Sequence, residues 1–277
     1  MSKVITGNVA GIDFEAPLVL SDAHLRTVIG RLEGVQTVAL DIETTGYEGQ
    51  KKYGPEDGEI RLVQLAWHAN NGTEVVVIDG QATDLSLLVP FFEGPAEKVV
   101  HYSPFERSWI GHHLGAKLEG VIDTCYLGQS INKKLRGDVA ENVMGGLINV
   151  CHNREDFDSL TKQLMNMADM YTLPSGREVT LLEVKSAFKS TDIPLEGWKL
   201  SERATLAAMV KRYIGHDLDK EGQTSDWSGF LTDEQLVYAA GDAAVTMRLL
   251  GPVRRMARDL RVYQKMRLRV KHDLERG

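Results

Sequence analysis

Cysteine is nearly missing: Cys125 and Cys151 are the only two in 277 residues. A disulfide framework is thereby excluded, and a reducing, intracellular and cytoplasmic setting is the expectation. No stretch approaches the roughly 18 apolar residues of a membrane-crossing helix, and no basic-then-apolar leader opens the chain. No membrane partner is expected. Positive charge is not in excess either, since 32 Lys and Arg against 39 Asp and Glu leave a formal net charge of −7. This excludes capture of a polyanion by overall attraction, although a local basic groove stays compatible because a ligand feels the nearby field. Internal repeats and low-complexity tracts are absent too. The remainder, 43% hydrophobic and 26% charged, reads as one globular domain over residues 1–277 with an N-terminal extension over 1–34.

The chain is organised around residues 38–46, VALDIETTG. Val38, Ala39, Leu40 and Ile42 suit a buried strand, and Gly46 suits the turn after it. Side chains alternate along a strand, so Asp41 and Glu43 point to one side. Crowded at the end of a core strand, two carboxylates repel unless a cation sits between them. Oxygen-only donors suit magnesium or manganese. A solvated carboxylate pair is the plain alternative, which this stretch alone leaves open.

Residues 1–20 alternate weakly and suit an edge strand or hairpin. Ser21 and Asp22 start a helix with Leu25, Val28, Ile29 and Leu32 at helical spacing. A polar loop over 47–58 carries Lys51 and Lys52. A hairpin follows: strand 60–67, the turn Asn70-Asn71-Gly72, then strand 74–78. Helices over 85–92 and 105–114 flank a strand at 99–102, and a strand at 121–122 ends at Asp123-Thr124. This order predicts an α/β fold with a ribonuclease H-like mixed five-stranded sheet flanked by helices, the first strand central. Residues 133–200 read as a helical insertion. Its helices fall near 160–171, with Leu160, Leu164 and Met167 on one face, and 181–188, with the turn Pro174-Ser175-Gly176 between. A helix over 204–214 follows, then a loop, then a helix capped by Thr232 that places Tyr238 and Asp242 on one face. The small residues Ala239, Ala240, Gly241, Ala243 and Ala244 let that helix pack closely. A basic C-terminal helix over 251–277 carries Arg254, Arg255, Arg258, Arg261, Lys265, Arg267, Arg269 and Lys271.

DIETTG from Asp41, HYSPFE from His101 to Glu106 and YAAGD from Tyr238 to Asp242 resemble, in order, the three motifs of the DEDD 3′–5′ exonucleases. The tyrosine marks the DEDDy branch, which includes ribonuclease D, Werner-type exonucleases and the proofreading domains of family A DNA polymerases. The resemblance covers roughly residues 35–130 and 203–250 and is densest over 204–250. It implies that Asp41, Glu43 and Asp242 hold one divalent metal ion and that Asp41 bridges to a second, the pair being Mg2+ or Mn2+. Two such ions about 4 Å apart activate the attacking water and stabilise the departing 3′ oxygen. Tyr238 would orient that water through its hydroxyl, because a phenol with a pKa of about 10 is a poor base at neutral pH. The implied products are nucleoside 5′-monophosphates released from a 3′ end.

One position departs from the family pattern. The second motif normally ends in Asp, and here Glu106 stands in that place, its carboxylate about 1.5 Å further out by one extra bond. Glu106 is carried over as the fourth acidic residue, acting at the second metal. Other candidates read as structural or solvated. His112 and His113 are sequence neighbours on a helix and do not face one site. Cys151 and His152 lack two further ligands at zinc spacing, His101 ends a strand, and Lys51 and Lys52 sit in a polar loop. The C-terminal basic run is either a solvated face or a contact for nucleic-acid backbone.

The functional expectation is a metal-dependent 3′–5′ exonuclease acting on single-stranded or frayed 3′ ends. DNA is favoured in a proofreading-like role beside a separate DNA polymerase. Ribonuclease D-like trimming of RNA is the alternative, and a catalytically silent nucleic-acid-binding or polymerase-partner module is the alternative from another class.

Overall fold

The computed structural model describes residues 3–45, 47–48, 51–52, 54–69, 72–134, 150–151, 153–163, 168–188, 204–218 and 225–274. By internal packing the chain divides into two compact units, Met1–Leu127 with Thr205–Gly277, and Gly128–Ala204.

The first unit opens with the antiparallel strands β1 (Val4–Val9) and β2 (Ile12–Val19), then helix α1 (Asp22–Leu32), capped by the Ser21 side chain accepting from His24 N–H. Strand β3 (Thr37–Thr44) is followed by the hairpin β4 (Ile60–Ala69) and β5 (Gly72–Asp79). A 3-10 turn, Leu85–Leu88, leads into α2 (Val89–Glu93) with Pro90 in its first turn, where a missing N–H costs nothing. Strand β6 (Glu97–Val100), helix α3 (Pro104–Leu114) and strand β7 (Val121–Asp123) complete the sheet, and residues 124–134 are helical.

The strand order is β1-β2-β5-β4-β3-β6-β7. The expected five-stranded core is present with β3 at its centre, antiparallel to β4 and parallel to β6. The N-terminal hairpin widens it to seven strands, because Leu18 and Val19 pair in parallel with Val77 and Ile78. Leu40, Leu65, Val77 and Val99 are fully buried, as apolar runs covered on both faces require.

After α6 (Leu206–Tyr213, capped by Thr205) comes the long helix α7 (Asp233–Asp259). It packs against β1 through β6. Its 27 residues make a rod of about 40 Å, enough to cross a sheet of this many strands at about 4.8 Å spacing. The sequence places one basic helix over 251–277, but α7 runs to Asp259 and a separate helix, α8 (Tyr263–Leu274), follows. Arg261 takes a positive φ of 56° at the break, so Arg254, Arg255 and Arg258 belong to the end of α7.

Among the described residues of the second unit, one helix lies earlier than the sequence suggests and a ribbon follows it. Helix α4 is Arg154–Gln163, not 160–171, and the chain then forms a ribbon of β8 (Met170–Thr172) and β9 (Glu178–Thr180) before α5 (Leu181–Phe188). Tyr171 and Val179 are paired across the ribbon and both are buried. That shared apolar face makes the segment around the Pro174-Ser175-Gly176 turn a hairpin rather than a helix end. Leu164 and Met167 lie outside the described residues, as does His152.

Candidate active site

Asp41 and Glu43 project from the same face of β3, while Ile42 between them is buried on the other. Helix α7 crosses the sheet and brings Asp242 to them. One carboxylate oxygen from each of the three lies within 4.8 Å of the others, the one such cluster among the described residues. Burial pushes the Asp41 carboxyl well above the ordinary range, and the charge of Asp242 adds to it. Burial likewise raises Glu43, with the charges of Asp41 and Asp242 adding. Three acidic groups drawn from water and pressed together, all offering oxygen, fit the donor set of a hard divalent cation.

Local structure holds each part in place. Antiparallel pairing sets Asp41 across from Gln64 and Glu43 across from Leu62, and the register shifts between Glu43 and Thr44, a bulge that turns the chain away after the second carboxylate. Thr45 pins the departing chain: its N–H donates to Glu59 O at 2.9 Å and its hydroxyl accepts from Glu59 N–H at 2.8 Å. Helix α7 starts with a full capping box between Thr232 and Gln235, and Gln235 Nε2 also donates to Asp226 O at 2.9 Å. The preceding loop therefore lays the buried Trp227 ring beside Tyr238, with centroids 6.5 Å apart. Tyr238, one turn before Asp242, hydrogen-bonds that carboxylate through its hydroxyl. Burial first, then the charges of Asp242 and Glu43, hold the phenol protonated far above its ordinary range.

Glu106 stands outside the cluster of three, in the first turn of α3. It is 1% exposed, and its Oε2 has no hydrogen-bond partner among the described residues. Burial raises its carboxyl well above the usual range, and the charge of Asp41 contributes next. Arg107, its neighbour, donates to Val270 O at 3.1 Å instead of pairing with Glu106. Trp109 of the same helix is buried.

Two contributors escape the sequence reading. Asp123, fully buried, accepts from the N–H groups of Ser103 at 2.7 Å, Tyr102 at 3.3 Å and Tyr126 at 3.0 Å. It thereby ties down the turn that launches α3, where Tyr102 takes a φ of 81°. Gln64 is fully buried beside Asp41, and neither end of its amide has a partner among the described residues. A lone glutamine inside the apolar run LVQLA was the available signal.

The remaining candidates separate from the site. His101 Nδ1 lies 2.9 Å from Thr124 Oγ1, a strand-end contact, and His113 stacks on Trp109 at 5.5 Å. Lys51 and Lys52 form half of a two-residue ribbon with Tyr47 and Glu48, their side chains outside the described residues. Cys151 is buried with its thiol pushed up by burial. Lys265, Arg267, Arg269 and Lys271 are exposed on α8, with Arg269 lying 3.7 Å over the Tyr126 ring.

A mixed sheet whose central strand and crossing helix gather carboxylates defines the ribonuclease H-like exonuclease fold. The chain belongs to the 3′–5′ exonuclease family: the model of that family matches residues 18–174 and 181–257. A 60-residue segment is 42% identical to DNA polymerase I of Aquifex aeolicus (strain VF5), covering 21% of this chain and 10% of that protein. Among solved structures, Escherichia coli RNase D, an exoribonuclease involved in structured RNA processing, matches at a TM-score of 0.55 and 18% identity. That match covers 92% of this chain and 50% of RNase D. The catalytic core of RRP6 from Trypanosoma brucei matches at 0.57 and 16% identity, over 91% of this chain and 51% of that one. Brucella melitensis NrnC with bound Mg2+ matches at 0.50 and 16% identity, over 87% and 83%. The chain thus spans about half the length of RNase D and of the RRP6 core. No helix among the described residues is long and apolar enough to cross a membrane.

Proposed function

We propose that this protein is a metal-dependent 3′–5′ exonuclease that releases nucleoside 5′-monophosphates from single-stranded or frayed 3′ ends, with DNA as the favoured polymer. The observation that carries the reading is the convergence of Asp41, Glu43 and Asp242 within 4.8 Å, with the Tyr238 hydroxyl bonded to Asp242. Asp41, Glu43 and Asp242 would hold one divalent ion, Mg2+ or Mn2+, and Asp41 with Glu106 would serve a second. When bound, such ions supply Lewis-acid stabilisation of the phosphate and a more acidic water. Tyr238 stays a hydrogen-bond donor throughout and orients the attacking water instead of taking its proton. Glu106 and Asp41 repel each other until positive charge is present, which favours loading over an empty site.

The segment shared with a DNA polymerase supports DNA and, with it, a role beside a separate polymerase. RNA trimming is the second reading, supported by the likeness to the exoribonuclease RNase D over nine-tenths of this chain. Matched 3′-labelled DNA and RNA strands, incubated with Mg2+, Mn2+ or chelator, test both. Stepwise loss of 3′ nucleotides with metal and none with chelator is the expected outcome. Faster loss from RNA would select the trimming role, and retained binding without digestion of either strand would leave a silent binding module.

A further inference from the structure

We propose that Gly7, Val9, Val237 and Gly241 form a size-matched lock that fixes the helix bearing Tyr238 and Asp242 at the height above the sheet the site requires. Gly7 and Val9, two apart on β1, face the same side of the sheet. Val237 and Gly241, four apart on α7, share one face of that helix. The sizes are reciprocal: glycine on the strand meets valine on the helix, and valine on the strand meets glycine on the helix. A β-carbon added at Gly7 would lie 2.9 Å from Val237 Cγ1 and 2.8 Å from Phe14 Cζ. One added at Gly241 would lie 2.6 Å from Val9 Cγ2, 2.9 Å from Val9 Cβ and 3.0 Å from Val9 Cγ1. Valine is stiff about its first side-chain bond, and its Cβ cannot swing aside, so the backbones must part instead.

The placement matters because each of the two lock residues on α7 directly precedes a proposed functional one, Val237 before Tyr238 and Gly241 before Asp242. Bringing a 2.6 Å approach back to ordinary contact needs a shift of roughly 1 Å. A displacement of that size at a reacting site is worth about 100-fold in rate. Phe14, paired with Gly7 across β1 and β2, lays its ring on the strand glycine and keeps that half of the lock from collapsing. The hairpin is therefore a positioning element for the site as well as an added pair of strands. These four act on the chemistry through Tyr238 and Asp242, as positioning residues.

The activity readout rests on the exonuclease reading, so a second readout is independent of it: the rise in melting temperature that Mn2+ produces in the full chain. Gly241→Ala is expected to lower turnover about 10- to 100-fold and to raise the Mn2+ concentration needed for half the melting shift. Adding Val9→Ala to it makes room for the new methyl and is expected to restore both readouts to within about threefold of Val9→Ala alone. Gly241→Ala matching wild type in both readouts overturns the lock, and so does a double variant no better than Gly241→Ala. If Gly241→Ala does not fold, the double variant decides: recovered folding and Mn2+ response support the lock, and their absence overturns it. A wild type that responds to Mn2+ but digests neither polymer removes the exonuclease reading and leaves the lock to the melting readout. A wild type that does neither overturns both.

Discussion

Replacing Asp242 by Asn should make the metal-free protein harder to melt. Asp242, Asp41 and Glu43 offer oxygens within 4.8 Å of one another. Two unit charges at that distance repel by about 3–4 kcal/mol at an effective dielectric of about 20. Asp41 and Glu43 are largely buried but keep some contact with solvent, so screening brings the gain from removing one member to about 1–2 kcal/mol. Asn keeps the shape and still accepts from the Tyr238 hydroxyl, so the packing of α7 should not change. In a chain of this size the gain corresponds to a rise of a few °C in melting temperature. It should grow with pH. Asp41 and Glu43 have raised carboxyl pKa values in the folded chain, so the folded state holds more protons than the unfolded one above the ordinary carboxylate range near 4. Wild-type stability in chelator should therefore fall as pH rises from about 4 through the raised values, and fall less in Asp242→Asn. The assay is thermal melting at pH 5 and pH 8, in chelator and in Mn2+. Wild type should gain from Mn2+ at pH 8, and the variant should gain little. A variant that melts several °C below wild type in chelator at pH 8 would refute the repulsion argument and make Asp242 a structural residue.

Tyr238→Phe keeps the ring against Trp227 and removes the hydroxyl, so turnover should drop about 10- to 1,000-fold with Mn2+ affinity little changed. A loss of metal response as large as in Asp242→Asn contradicts an orienting role. Glu106→Gln should cut cleavage at least tenfold or so without lowering stability in chelator, because it deletes a buried charge at constant length, while Glu106→Asp should keep substantial activity. Cleavage by Glu106→Gln at the wild-type rate would show that this glutamate has left the chemistry. Gln64→Leu should be neutral or raise stability by about 1 kcal/mol in chelator melts, since both amide ends are buried without partners. A fall of several °C would show that the amide is satisfied in solution.

Where the sequence was readable, local periodicity and the order of the three motifs decided the outcome. A period of two forces Asp41 and Glu43 to one face of β3, and a step of four puts Tyr238 and Asp242 on one face of α7, but that the two pairs belong to one site was implied only by the resemblance of the three motifs to the DEDD exonucleases. Thr232 announced the start of α7 by local pattern. Pairing partners were not legible. Nothing near Leu18 says that it lies beside Val77, so the two extra strands could only be suspected. Gln64 and Asp123 act through register and a turn, and each reads locally as an ordinary strand residue. Glu106 was found by its place in a motif, but its burial and unpartnered oxygen come from how α3 meets the sheet. The break between α7 and α8 had no glycine or proline to mark it, because Arg261 itself takes the left-handed turn.

The crossing of α7 over six strands also dictates when the site comes into being. Asp41 and Asp242 are about 200 residues apart, so the loop between them must close before the carboxylates meet, an event of high sequence separation and correspondingly slow. During synthesis every sheet strand has left the ribosome long before the helix that roofs it, and early domains begin to fold as they emerge. Until residues 233–259 arrive, the face of β1 to β6 that they cover is bare. A ribosome-bound or prematurely ended chain therefore has Asp41, Glu43 and Glu106 but lacks Asp242. It carries exposed apolar surface, and it cannot complete the cluster of three carboxylates. Competence arrives with the closing helix, all at once and last.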